Sequence, residues 1–177
     1  MGSLPVAAGV VATPAAIRIA NDTSRGATGA VGKNALVPRI VEQTVPREAT
    51  ILDYGAGKAA AHTQRLKERG FNVTAHDFGD NVKPGLHDPA ALSRQYDHVY
   101  ASNVLNTQSS KEMLQSTLDE IADAVKPGGS ATVNLPAKPR KFEGLNASLL
   151  EEELRARFRD VERIGGTKQI PIYRVLK

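Results

Sequence analysis

The 177 residues contain no cysteine and no tryptophan. The first absence excludes disulfides, thiolate metal sites and cysteine nucleophiles, and it fits a reducing, cytoplasmic setting. Aromatic residues make up only 5% of the chain, so a core must be built from Ala, Val, Leu and Ile. That palette suits a parallel sheet covered by helices, whose strands read as apolar runs. No apolar stretch is long enough to span a bilayer, so no membrane association is expected. Residues 1–20 are apolar, but they lack a basic leader region and contain Pro5 and Pro14, so they read as an arm rather than a signal peptide. Val6 breaks the N-myristoylation pattern. The four histidines are scattered, and no metal site is expected.

Charge is unbalanced in one direction. A net charge of +4 permits attraction to nucleic acid or another anionic partner. A surface that only keeps the protein dissolved explains it equally well. The length supports one compact domain and leaves no room for a second. Residues 1–32 read as a flexible arm and residues 33–177 as the domain.

Within the domain the hydrophobic pattern alternates. Residues 34–45 have apolar positions at helical spacing, with Pro38 in the first turn, where a missing N–H costs little. A strand is expected over 49–52, a helix over 58–69 stopped by Gly70, and a strand over 71–76. Another strand is expected over 97–102, and an amphipathic helix over 110–125 carries Met113, Leu114, Leu118, Ile121 and Val125 on one side. Lys126-Pro127-Gly128-Gly129 reads as a helix stop and turn into a strand over 130–135. A helix over 147–157 precedes two strands, 159–164 and 170–176, joined through Gly165-Gly166-Thr167 as a hairpin. The fold class is therefore α/β, a doubly wound, mostly parallel sheet with a C-terminal antiparallel hairpin.

The informative loop is Asp53-Tyr54-Gly55-Ala56-Gly57-Lys58-Ala59-Ala60, between a strand and a helix. Glycines there let the backbone turn tightly and approach a ligand. Gly55, Gly57 and Ala60 satisfy the dinucleotide fingerprint G-x-G-x-x-G/A. Asp53, Gly55, Gly57 and Ala59 satisfy acidic-x-G-x-G-x-G/A, a pattern of methyl-transferring enzymes. A ligand-free strand–helix turn is the third reading. Electrostatics favours the second. A dinucleotide sets an anionic pyrophosphate at the helix N-terminus, and a carboxylate at the mouth of the loop repels it. S-adenosylmethionine carries an ammonium and a sulfonium instead, which Asp53 attracts. Asp77 ends the next strand, 24 residues after Asp53, where an acidic group can take both ribose hydroxyls; a turn or helix-cap aspartate is the alternative. Phe78 follows and can lie on an adenine face or simply pack.

Together these pieces resemble the class I, Rossmann-like S-adenosylmethionine-dependent methyltransferases. The segments are ILDYGAGKA (51–59), VTAHDF (73–78), YDHVYASNVLN (96–106), KPGG (126–129) and the terminal hairpin. The resemblance implies a seven-stranded sheet with an antiparallel last strand, and S-adenosylmethionine at the C-terminal ends of the strands. Only 19 residues separate Asp77 from Asp97, so the third-strand side is expected to be abbreviated. The residue that would contact the adenine amine there has no clear place, Asp88 being the candidate. A closer resemblance rests on residues 25–33 (RGATGAVGK), LDYGAGKA and SNVLN. These are similar to methyltransferases found with DNA phosphorothioation systems, which implies that Arg25 and Lys33 reach over the cofactor or substrate.

Methyl transfer from a sulfonium is an in-line displacement, so the enzyme mostly aligns the nucleophile. The resemblance places Asn103, Val104, Leu105 and Asn106 near the methyl group. Asn103 and Asn106 are the candidate catalytic residues, Asn103 doubling as a cofactor contact or, alternatively, capping a helix. No Asn-Pro-Pro-Tyr or Asp-Pro-Pro-Tyr follows the fourth strand, which disfavours ordinary adenine N6 methylation, and the absent cysteine excludes cytosine C5 chemistry. His62 could face the site, although packing explains it as well. Lys138, Arg140 and Lys141 could hold phosphates at the rim. The methyl acceptor is read as nucleic acid, with a small molecule or protein as the alternative. A non-catalytic cofactor-binding subunit of a larger complex, with a protein partner, is a third possibility.

Overall fold

The computed structural model of the chain describes residues 35–136 and 142–177. The arm at 1–32, Arg25, Lys33 and the Lys138, Arg140 and Lys141 cluster lie outside the described residues. The elements run α1 (Leu36–Thr44), β1 (Thr50–Tyr54), α2 (Ala61–Glu68), β2 (Asn72–His76), β3 (Tyr96–Ala101), α3 (Lys111–Ala124), β4 (Val125–Asn134), α4 (Ala147–Arg155), β5 (Asp160–Gly166) and β6 (Pro171–Leu176). They form a six-stranded sheet of order β2-β1-β3-β4-β6-β5. β2, β1, β3 and β4 are parallel, and β6 is antiparallel to both β4 and β5.

Strand periodicity divides the core between the two faces. On β1, Ile51 faces α1 and α2 with Val37, Val41, Leu66 and Phe71. Its neighbours Leu52 and Tyr54 face α3 and α4 with Leu118, Ile121 and Leu154. On β3, Tyr100 takes the first side while Val99 and Ala101 take the second. Both helices of the second face are capped: the Ser110 hydroxyl accepts from the N–H of Met113, and the Asn146 side chain from the N–H of Leu149. No helix among the described residues is long and apolar enough to cross a membrane.

Three sequence expectations change. Among the described residues the expected seven strands are six, because residues 77–95 carry only the short 3₁₀ turns Gly79–Asn81 and Ala91–Ser93 in place of a third strand and its helices. The abbreviation expected from the short spacing is thus complete loss of that strand. The helix expected from 58 starts at Ala61, because Ala60 has a left-handed φ of +46° that ends the loop. Lys126-Pro127-Gly128-Gly129 is not a turn between elements but part of β4, which opens at Val125 opposite Tyr96 and slips register before Ser130 meets His98. Gly129 sits there because a Cβ would fall 2.8 Å from the carbonyl oxygen of Asp97.

Candidate active site

β1 and β2 end side by side, Tyr54 opposite His76. The chain then crosses over β2: the N–H groups of Gly55 and Ala56 both donate to the carbonyl of His76, at 2.9 and 2.8 Å. Gly55 and Gly57 have φ of +76° and +82°, which suit glycine. A Cβ on Gly55 would lie 2.6 Å from Val104 Cγ2, so the loop also needs a bare backbone where it meets the chain leaving β3.

Between this loop and α3 lies a cavity of about 300 Å³, lined by Gly55, Gly57, Asp77, Phe78, Asn103 and Val104, and floored by Tyr54 and the inward face of α3. Most of the residues singled out in the sequence meet here. Asp53, Gly55, Gly57, Asp77, Phe78 and Asn103 all line it, and His62 does too. Asn106 does not: it is buried within the turn Leu105–Thr107, with its Oδ1 unpartnered, and forms no part of the cavity wall. Asp88 is also elsewhere, on the surface in an ion pair with Arg94.

Asp53 is not an open carboxylate at the mouth of the loop. It is 2% exposed, and its Oδ2 accepts from the Thr63 hydroxyl and the Tyr100 hydroxyl, each at 2.7 Å. Burial pushes its carboxyl up to about 6, against the pull of those two donors. Asp77 Oδ2 accepts from the Gly57 N–H at 2.7 Å, and its Oδ1 from the Phe78 N–H. Burial raises it as well, with the two N–H groups opposing. The helix-cap reading for Asp77 therefore gives way to a loop clamp. Asn103 caps no helix either. It holds a left-handed φ of +60°, its N–H donates to Asn134 Oδ1 at 2.8 Å, and its Oδ1 accepts from Asn134 Nδ2 at 2.9 Å.

Three further groups build the site without an obvious sequence mark. His87 accepts the Lys83 N–H on Nδ1, so Nε2 carries the proton and donates to the Gly57 carbonyl at 2.7 Å. Asn134 braces Asn103. Glu120 reaches the cavity floor from α3, accepting from the Tyr54 hydroxyl at 2.5 Å, and burial raises its carboxyl too. The helical spacing 113, 116, 117 and 120 was the only available signal. It places Met113, Ser116, Thr117 and Glu120 on one face, beside the apolar stripe.

The result is a concave, largely apolar site with an aromatic wall and three carboxyl groups, all destabilised by burial. A bound cation relieves that penalty, and an anionic pyrophosphate adds to it. Phe78 stands edge-on to His76, with centroids 4.5 Å apart. Burial holds His76 neutral, with its pKa lowered to about 4. Such a site fits a ligand with a flat apolar ring, vicinal hydroxyls and a positive centre. S-adenosylmethionine has all three. Among the described residues no cluster suits a metal ion.

Comparison with known proteins agrees. A family model described as a methyltransferase domain matches residues 32–163. No curated protein sequence matches the chain. Among solved structures, a TehB-like SAM-dependent methyltransferase from Corynebacterium glutamicum superposes with a TM-score of 0.63 at 17% identity, covering 93% of this chain and 100% of that one. The Burkholderia thailandensis 1,6-didemethyltoxoflavin-N1-methyltransferase, solved with 1,6-didemethyltoxoflavin and S-adenosylhomocysteine, gives 0.61 at 20% identity, covering 100% of this chain and 92% of that one. TehB from Haemophilus influenzae gives 0.55 at 15% identity, over 85% of this chain and 63% of that one. At these identities the likeness is one of fold.

Proposed function

Since the chain belongs to the methyltransferase-domain family, we propose that it transfers a methyl group from S-adenosylmethionine to a nucleophile presented beside Asn103. The observation that carries this reading is the Asp77 carboxylate at the end of β2, held against the glycine loop by the Gly57 N–H and lining the cavity. S-adenosylmethionine supplies an activated methyl group on a sulfonium, so the protein's task is alignment.

The position of each residue supports a part in this reading. In it Asp77 takes ribose hydroxyls and Phe78 flanks the base, as their place on the cavity lining supports. Asp53, whose carboxyl is raised in small part by the Asp77 charge, adds negative potential toward the donor's cationic end. Asn103, braced by Asn134 and lining the cavity, orients an acceptor N–H or O–H. Asn106 has no part in this scheme.

For the acceptor we favour nucleic acid. The support is the net charge of +4 and the three cations at 138, 140 and 141, which come soon after Asn134 in the sequence. The closer resemblance to methyltransferases found with DNA phosphorothioation systems points the same way. A small-molecule acceptor is supported by the didemethyltoxoflavin enzyme, which aligns with the whole chain.

The test is calorimetric titration of S-adenosylhomocysteine into wild type and Asp77→Ala. The expected result is micromolar binding, weakened at least about tenfold by the substitution, or roughly 1.4 kcal/mol. No binding by folded wild type would sink the reading. Salt-dependent binding of DNA or RNA, followed by transfer of a labelled methyl group, separates the acceptors.

A further inference from the structure

The floor of the cavity carries one acceptor that the scheme above does not use. Glu120 is 9% exposed, and its Oε1 is held by the Tyr54 hydroxyl. Its second oxygen receives no donor from the described residues, although Glu120 lines the cavity. Two neighbouring polar side chains have other partners: Thr117 Oγ1 donates to Gln108 Oε1 at 2.9 Å, and Gln108 Nε2 donates to the Val104 carbonyl at 3.1 Å. A carboxylate oxygen that faces the cavity from a side chain otherwise buried favours a charge-assisted bond from a ligand N–H that reaches it.

The shape of the site says what kind of N–H that is. Asp77 and Phe78 are consecutive, and the Phe78 ring is edge-on to Tyr54 with centroids 6.0 Å apart. The Tyr54 ring, 1% exposed, ends in the hydroxyl that holds Glu120. An aromatic wall therefore leads from the ribose-side carboxylate to the carboxylate on α3. A planar base running along it would present its far edge to Glu120. Asp88, the crossover residue considered for that role, pairs with Arg94 on the surface instead. Resting on the methyl-donor reading above, we propose that Glu120 reads the exocyclic amine of the donor's adenine, so that helix α3 supplies base specificity where Asp88 does not. Tyr54 is the positioning residue, fixing the carboxylate through its hydroxyl.

The proposal predicts discrimination between an amine and a carbonyl at the same ring position. S-inosylhomocysteine, the deaminated form of S-adenosylhomocysteine, presents an oxygen there, and two acceptors then face each other. Wild type should bind it at least about tenfold more weakly than S-adenosylhomocysteine. Glu120→Gln retains an oxygen for Tyr54 and gains an NH₂ that can donate to the carbonyl. The ratio of the two dissociation constants should then fall to within about threefold of unity. Using a ratio removes general effects on folding, and thermal melting checks that the variant is folded. Wild type that binds S-adenosylhomocysteine with no discrimination overturns this proposal and leaves the methyl-donor reading standing. So does a Glu120→Gln variant that keeps the wild-type ratio. Wild type that binds neither compound overturns both.

Discussion

His87 Nε2 donates to the carbonyl oxygen of Gly57 at 2.7 Å, while the N–H of the same glycine donates to Asp77. Both restraining side chains come from the crossover between β2 and β3. The segment that lost a strand has therefore kept one structural duty, holding the glycine loop from both sides. His87→Ala removes a buried donor and releases the Lys83 N–H as well. We expect a loss of about 1–2 kcal/mol in stability, and S-adenosylhomocysteine affinity weakened at least about tenfold. Calorimetry and thermal melting measure the two separately. Full affinity in the variant would show that the loop keeps its shape without the imidazole.

Gly55 is constrained twice, by a φ of +76° and by Val104 Cγ2 2.6 Å from where a Cβ would stand. Gly55→Ala should cost about 1–2 kcal/mol for the left-handed backbone, plus the contact. Adding Val104→Ala removes the contact and leaves the backbone strain. The double variant should therefore be more stable than Gly55→Ala combined additively with Val104→Ala. A strictly additive double-variant cycle would show that Val104 is not what the new methyl group meets.

These residues also show what a single sequence makes legible. The loop glycines, Asp53, Asp77 and Phe78 were found because their information is local: strand, turn and helix follow within a few residues, and positive φ leaves its mark as glycine. The terminal hairpin was visible for the same reason. Glu120, His87 and Asn134 act 66, 30 and 31 residues from their partners Tyr54, Gly57 and Asn103. No period or composition links such distant positions. Glu120 also sits in a run, Asp119-Glu120, that reads as solvated helix surface. Lys126-Pro127-Gly128-Gly129 misled in the opposite direction: turn residues serve there as an irregular strand start, where Gly129 lets β4 pass close to the Asp97 carbonyl.

The burial of Asp53 makes a signed prediction. Its carboxyl is raised from 3.8 to about 6 in the folded chain. Between those values the folded state binds more protons than the unfolded one, so stability falls as pH rises through the window. The penalty is complete above about pH 6, at roughly 2–3 kcal/mol. Asp53→Asn keeps an oxygen for Thr63 and Tyr100 and cannot ionise. The ligand-free variant should therefore be more stable than wild type at pH 7.5, with the gap closing toward pH 4. Its affinity for S-adenosylmethionine should be lower at pH 7.5, because the negative potential is gone. Denaturant unfolding across pH measures the first effect and calorimetry the second. A stability gap that does not vary with pH would mean that Asp53 does not titrate in this window.

Asn134 gives the last test, because it separates acceptor geometry from donor binding. It accepts the N–H of Asn103 and donates to its side-chain oxygen, and Asn103 sits at φ +60°. That conformation is sparsely populated by residues other than glycine and persists only where neighbours fix it. Asn134→Ala leaves the part-buried Asn103 N–H without this partner and frees the amide to turn. Stability should fall by about 1–3 kcal/mol. The glycine loop and Asp77 make no bond to Asn134, so S-adenosylhomocysteine affinity should stay within about threefold of wild type. With the acceptor identified by a labelled-methyl screen, kcat at saturating cofactor should drop at least about tenfold, or ~1.4 kcal/mol of transition-state alignment. If affinity for S-adenosylhomocysteine falls as far as kcat, Asn103 serves the donor's site rather than the acceptor's, and the alignment role assigned to its amide is wrong.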